Sequence, residues 1–312
     1  MTALDIVTGA YGYSGRYVTR RLLDAGRSVR TLTASPRPPE LFHGLVEARP
    51  FSFERPELLV ESLRGAETLY NTYWVRFPYR DVGYERAVEN TRVLFASARE
   101  AGVVRIVHVS ITNPDESSPL AYFRWKAVLE RELGESGTSH AIVRPTVVFG
   151  REDILINNIA WILRRLPLFV VPGSGGYSLQ PVYVEDLARL CVEAGGRRDD
   201  VVFDAVGPET YTFDELVLLV RAAVGSRSRI VHAPATAAFA LGTVIGRAVG
   251  DVLVTRDELR GLMADLLVSA GPPTAETSFR AWVAGHASEL GREYASELAR
   301  HYRRGTVPSR KT

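Results

Sequence analysis

Short apolar runs alternate with stretches of helical periodicity through the first half of the chain. LDIVT (4–8) reads as a buried strand, and residues 14–26 as a helix that Gly26 ends. SVRTLTA (28–34) predicts a second strand closed by SPRPP, residues 46–51 a weak third, and ETLYNTYW (67–74) a fourth. YERAVENTRVLFASAREAG is an amphipathic helix stopped by Gly102; VRIVHVS (104–110) is a fifth strand, 121–135 a helix, and HAIVRPTVVF (140–149) a sixth strand. Strands that are apolar throughout and separated by helices imply a parallel sheet covered on both faces. The expected fold class is therefore α/β, a doubly wound Rossmann-type sheet.

After Gly150 the rhythm changes. A helix at about 154–165 leads into the Gly/Pro-rich loop PGSGGYS; LQPVYVEDLARL then gives a short strand and a helix capped by Asp186, and VVFDAVG (201–207) one more strand. The remainder reads as mostly helical, with a breaker at AGPP (270–273). The expected division is a dinucleotide-binding domain over 1–150, to which 181–207 returns. Residues 151–180 and 208–312 build a smaller, mostly helical lobe for substrate or partner.

Composition narrows the classes. A formal charge of +2 over 312 residues offers no broad basic face for nucleic acid. Cys191 is the only cysteine, set in a helix-period pattern, so no internal disulfide is expected and the chain is read as cytoplasmic. The six histidines show no ligand spacing, so no metal is expected. The apolar run 233–246 stops at Arg247, short of the roughly 20 residues of a membrane span. It reads as a packed helix, with a face for a protein partner or a membrane surface as the alternative.

TGAYGYSG sets Gly9, Gly12 and Gly15 directly after the first strand and at the head of a helix. Gly9 allows the tight turn, Gly12 lets backbone approach a pyrophosphate, and Gly15 permits close helix–strand packing; the helix N-terminus supplies N–H groups and a positive dipole end. An acid at the end of the second strand would favour NAD, but TLTASPRP has none. Thr33, Ser35 and Arg37 suit the extra phosphate of NADP(H), with NAD(H) the alternative.

Only two lysines occur, Lys126 and Lys311. Lys126 lies four residues after Tyr122, hence on the same helix face. A free tyrosine has a pKa of about 10; a neighbouring ammonium favours its phenolate and can hold ribose hydroxyls as a compact charge. Ser110, at the end of the fifth strand, suits a substrate carbonyl oxygen.

Taken together, TGAYGYSG, VENTRVLFASAREAGVVRIVHVS, YFRWK, VRPTVVFG, QPVYVEDLA and AVGPETYTFDEL resemble the short-chain dehydrogenase/reductases in their extended form, over roughly residues 4–220. HVSITNPDESSPLAYFRWK and GREYASELARHY are closer to an atypical, NmrA-like branch, similar to the nucleotide-binding accessory subunit of respiratory complex I and its bacterial relatives. The resemblance implies a catalytic set of Ser110, Tyr122 and Lys126 with Asn90 from the preceding helix, and Pro145, Thr146 and Val147 lining the nicotinamide pocket. The candidate cofactor contacts also take in Tyr11, Tyr13, Ser14, Ser52, Phe53, Asn71 and Thr72.

Two departures stand out: NTYW replaces small residues after strand four, and FSF replaces the acid expected near adenine. Tyr73, Trp74, Asn157, Trp161, Tyr177 and Gln180 are the candidate substrate residues, their aromatics suiting an apolar or planar molecule. Three functions stand. The first is an oxidoreductase moving hydride to or from a small carbonyl or alcohol. The second is a catalytically silent nucleotide-binding structural or assembly protein. The third is a nucleotide-sugar epimerase or dehydratase, which Arg164 and Arg165 keep open.

Overall fold

Adjacent residues of the early strands are both apolar, and in the computed structural model of the chain they point to opposite faces of one sheet. Ile6, Leu69, Ile106 and Ile142 enter one core layer; Val7, Tyr70, Val107 and Val143 enter the other. A strand covered on both sides requires that doublet pattern. The structure describes residues 3–33, 41–79 and 82–301.

In chain order the first elements are β1 (Leu4–Thr8), α1 (Tyr13–Asp24), β2 (Ser28–Thr33), β3 (Val46–Pro50), α2 (Pro56–Leu63), β4 (Ala66–Asn71), α3 (Tyr84–Glu100), β5 (Arg105–Val109), α4 (Ala121–Glu135) and β6 (Ser139–Pro145). There follow β7 (Val148–Phe149), α5 (Leu155–Arg165), β8 (Leu168–Pro172), β9 (Ser178–Leu179), β10 (Val182–Tyr183), α6 (Val184–Gly195), β11 (Val201–Ala205), β12 (Tyr211–Thr212), α7 (Phe213–Ala223), β13 (Arg229–Ala233), α8 (Ala235–Val249), α9 (Arg256–Met263), α10 (Phe279–Gly285) and α11 (Glu297–His301).

The chain divides into two units. The first comprises Met1–Val148, Gln180–Glu209 and Leu267–Thr277. Its seven-stranded sheet has the order β11-β6-β5-β4-β1-β2-β3, and all its pairs are parallel. α1 and α6 cover one face; α2, α3 and α4 cover the other. From β1 the chain winds outward through β2 and β3, then returns to β4 on the opposite side. The carboxyl ends of β1 and β4 therefore flank a topological switch point, where open sheets of this kind bind ligands.

Three details differ from the sequence expectation. The strand expected over 140–149 breaks after Pro145, which has no N–H to continue a ladder. Thr146 then donates its hydroxyl to the Gln180 carbonyl, and the Val147 carbonyl accepts from Val182. Residues 267–277, expected in the lobe, belong to the sheet unit. Thr274 accepts from Val206 N at 2.9 Å and donates to the Asp204 carbonyl at 2.8 Å, covering backbone beside the edge strand β11. Asp186 does not cap α6; its carboxylate accepts from Thr277 N at 2.9 Å.

The second unit comprises Phe149–Leu179, Thr210–Leu266 and Ser278–Thr312. It is built on helices but also holds a parallel pair, β8–β13, and an antiparallel pair, β9–β12. Phe149, Tyr211, Phe279 and Trp282 form its aromatic core, with ring centroids 5.0–5.7 Å apart. Capping boxes at Thr212/Glu215 and Thr255/Glu258 start α7 and α9.

Two glycines of the first unit give opposite expectations. A Cβ on Gly207 would stand 1.9 Å from the Pro181 carbonyl oxygen, whereas Gly134, inside α4, has open space. Gly207→Ala should cost about 1–3 kcal/mol, the range for overpacking. Gly134→Ala should gain roughly 0.5–1 kcal/mol of helix propensity. Denaturant midpoints of both variants against wild type check the pair.

Candidate functional site

The loop between β1 and α1 is shaped by its glycines. Gly9 has φ +70°, and its carbonyl accepts from Gly12 N at 2.8 Å. A Cβ on Gly15 would lie 2.2 Å from that same oxygen, so only glycine lets α1 pack this close. Ala10 N donates to Thr31 Oγ1 at 3.0 Å, and Arg16 ties the loop through the Tyr11 and Gly12 carbonyls. Gly12 is the extended N-cap of α1, and no side chain caps that helix. Its first turn, with Tyr13, Ser14 and Gly15, is thus built to receive an anion on backbone N–H groups.

The neighbouring strand ends are joined by a buried polar chain. Thr8 Oγ1 accepts from Thr72 N at 2.8 Å and Tyr73 N at 3.1 Å, and donates to Asn71 Oδ1. Asn71 Nδ2 faces His108 Nδ1 at 3.0 Å. With Asn71 Oδ1 already turned toward donors, its amide donates to His108, which places the imidazole proton on Nε2. Burial, and then the nearby Lys126 charge, hold His108 well below its usual pKa, so it is neutral. Its Nε2 has no partner among the described residues.

On α4, Lys126 is only 2% exposed and donates from Nζ to the Val109 carbonyl at 2.7 Å. Nζ also sits 4.5 Å from the centre of the Trp74 ring. Burial pushes the ammonium down to about 7 from its ordinary 10.5, against the opposing pull of Glu130. Tyr122, one turn earlier, meets Trp74 edge-on with centroids 5.9 Å apart. Ser110 directly follows the carbonyl that Lys126 holds. Its hydroxyl is buried and has no partner among the described residues, which costs about 1–3 kcal/mol and calls for a reason. Ser110, Tyr122 and Lys126 are therefore gathered around Val109 and Trp74.

The other candidates fall into distinct places. Asn90 donates to Tyr73 Oη at 2.8 Å, and Tyr73 packs on Phe51 and Phe53 at 5.3 Å each. Tyr73 thus joins the FSF segment that holds Ser52 and Phe53, and burial raises its pKa. Thr33 ends β2, while Ser35 and Arg37 lie outside the described residues. Pro145 ends β6, and Thr146 and Val147 follow it at the same carboxyl edge.

Asn157, Trp161, Tyr177 and Gln180 are committed elsewhere. Asn157 bonds Asp153, the Arg151 carbonyl and Gly291 N; Gln180 bonds the Gly207 carbonyl and Ser269 N. Trp161 packs on Tyr294, and Tyr177 stacks on Phe213 at 5.4 Å. Arg164 spends its guanidinium on the Leu290, Val224 and Ala287 carbonyls, and Arg165 on those of Gly291 and Arg292. Both serve the framework of the second unit, beside an open groove of about 820 Å³ that carries none of the candidate substrate residues. Among the described residues no group of His, Cys, Asp or Glu could hold a metal ion.

Sequence reasoning passed over Thr8 and His108. A signal existed for His108, an imidazole in the middle of the otherwise apolar run IVHV of β5. Thr8 gave none, because a threonine in a strand is ordinary.

Comparison with known proteins bears on this site. The profile described as "NAD dependent epimerase/dehydratase family" matches residues 6–202. The mitochondrial NADH dehydrogenase [ubiquinone] 1 alpha subcomplex subunit 9 of Arabidopsis thaliana is 26% identical over 282 residues, 84% of this chain and 70% of that protein. A 4-hydroxy-2-methyl-3-oxo-4-farnesyl-3,4-dihydroquinoline-1-oxide ketoreductase of Stigmatella aurantiaca is 28% identical over 269 residues, 78% of this chain and 80% of that one. Among solved structures, MoeE5 in complex with UDP-glucose and NAD has a TM-score of 0.67 at 19% identity, covering 91% of this chain and 97% of that one.

The lysine sets a pH dependence of stability. Its folded pKa lies below its unfolded one, so between about 7 and 10.5 the unfolded chain binds a proton that the folded chain does not. Across that window stability rises with pH, and below it the lysine adds no slope. Lys126→Met removes the effect. Unfolding midpoints at about pH 6 and about pH 9 should move further apart in wild type than in the variant.

Proposed function

The chain belongs to the NAD dependent epimerase/dehydratase family, and from that premise we propose that it is an oxidoreductase that moves a hydride between a nicotinamide dinucleotide and a small carbonyl or alcohol. The observation that carries this reading is the gathering of Lys126, Tyr122 and the unpartnered Ser110 hydroxyl at the carboxyl ends of the strands. The residues fit the cofactor. The uncapped first turn of α1 suits the pyrophosphate, Lys126 the nicotinamide ribose, and Thr146 and Val147 the ring beyond it.

The nicotinamide, when bound, supplies or accepts the hydride. The chain's own residues do the rest. Ser110 Oγ donates to the substrate oxygen and fixes its direction. Tyr122 Oη gives that oxygen a proton in reduction and takes it back in oxidation. Lys126, one turn on from Tyr122 along α4, supplies the positive charge that favours the phenolate and lowers the barrier to that exchange. An apolar, planar substrate suits the aromatic cluster of Trp74, Tyr84 and Tyr122 beside Lys126. The Stigmatella relative, named as a ketoreductase of a quinoline oxide, supports that class.

A second reading is a silent nucleotide-binding protein that docks a partner. It is favoured by α8, whose Leu241 and Val244 are exposed, and by the relatives named as subunits of NADH dehydrogenase. Tyr122→Phe separates the two. On the oxidoreductase reading it keeps dinucleotide affinity and loses turnover by about 10²–10⁴-fold, the usual weight of a general acid. Full activity on an identified carbonyl substrate would falsify the catalytic role. Lys126→Arg should weaken dinucleotide binding, because a wide planar fork does not replace a point charge at a shaped site.

The preference within the pair is for NADP(H), since β2 ends at Thr33 without an acid and Arg37 follows. Arg37→Ala should weaken NADPH and leave NADH unchanged in parallel titrations. Equal losses would refute the phosphate role.

A further inference from the structure

Lys126 is covered, and the group over its ammonium is an indole. We propose that Trp74 is a gate. Its ring closes over Lys126 Nζ, 4.5 Å from the ring centre, and it must swing aside before the ribose hydroxyls of a dinucleotide reach that nitrogen. The inference rests on the reading of Lys126 as the ribose ligand.

The backbone on both sides of Trp74 is held, so what can move is its side chain: beyond it Val75 and Phe77 are buried, and the Arg76 carbonyl accepts from Tyr84 Oη at 3.0 Å. Thr72 and Tyr73 are pinned, since their backbone N–H groups bond Thr8 Oγ1 and the Tyr73 hydroxyl accepts from Asn90. Trp74 comes next, in the irregular stretch between β4 and α3. Among the described residues of that stretch the backbone pairing is one isolated bridge, Tyr79 with Val82. Trp74 Nε1 is buried and has no hydrogen-bond partner among the described residues. The ring is therefore held by packing alone: Tyr84 stacked at 6.1 Å, Tyr122 edge-on at 5.9 Å, and the ammonium over its face.

That arrangement is easily exchanged. Opening trades the cation–π contact for hydrogen bonds to ribose and releases Nε1–H to find an acceptor. The Val109 carbonyl keeps Nζ in place meanwhile. Ligand and indole thus compete for one charge, and the ligand shifts the balance by binding only the open form.

The lysine count makes the test direct. With only Lys126 and Lys311 in the chain, a water-soluble amine-acylating reagent followed by mass spectrometry reads Lys126 individually. Its rate in the folded protein is referred to the same chain unfolded in denaturant. Wild type should be strongly protected without cofactor. Trp74→Leu should raise the relative rate by about 2- to 30-fold, the span of a partly to fully desolvated cation–π contact. Should Trp74→Leu lose its cooperative melt, Trp74→Phe keeps a ring and should give a smaller rise. A folded variant whose Lys126 labels no faster than wild type overturns the gate.

NADPH binding is followed separately. Association should be faster in the variant, and an unchanged association rate counts against the gate. A wild type that binds neither NADPH nor NADH, with Lys126 freed in the variant, refutes the dinucleotide reading and with it the ribose half of the gate. Unchanged labelling with normal dinucleotide affinity refutes the gate and leaves the dinucleotide reading intact.

Discussion

One hydroxyl holds the switch point together. Where β1 and β4 end, the backbone must leave the ladder, and its N–H groups must find acceptors out of reach of water. Thr8 Oγ1, wholly buried, takes two of them, from Thr72 and Tyr73, and passes its own proton to Asn71. Through Asn71 the same chain reaches His108 on β5. Three strand ends are thereby fixed relative to one another, and the glycine loop, the NTYW segment and Ser110 all start from them. A valine at position 8 would keep the volume and take from Thr72 N its acceptor, leaving Tyr73 N only Asn71 Oδ1.

Around that frame the chain accepts local costs. A lysine is buried with one carbonyl and a ring face for company, and a serine hydroxyl and an imidazole N–H go without a partner among the described residues. All three sit on or beside β5. Elsewhere in the same unit, charged groups inside the fold are fully matched: Arg105 bonds the Ala194 and Asp199 carbonyls and Ser139, and Asp5 is clasped by Arg27. Two of the buried polar side chains without a partner among the described residues, His108 and Ser110, are close neighbours at the end of β5; others, such as Thr19 and Trp125, lie on the covering helices.

The sheet was legible because doubly covered strands write themselves as apolar doublets, and the phosphate loop because glycine spacing has one strong structural meaning there. Lys126 stood out through scarcity in a chain that otherwise uses arginine. The tail of the sheet unit was not legible. Residues 267–277 are a strap of polar bonds around Asp204 and Val206 and carry no periodicity. Nor were β8 and β13, short runs whose pairing depends on a partner some 60 residues away. Asn157 and Gln180, named as candidate substrate residues, bond carbonyls and N–H groups of the framework. Residue type shows that a bond is wanted, not who receives it.

The strap has a consequence for how the chain is made. The two units are woven from six alternating segments, so the chain passes between them five times. No single cut yields either unit whole. The sheet's edge strand forms near residue 201, yet the backbone beside it waits for Thr274 and Ala275 to supply its bonds. On a ribosome the nucleotide-binding half is thus the first to begin and among the last to be finished. Its edge stays open to wrong pairings until those residues, some 70 positions further on, have been made.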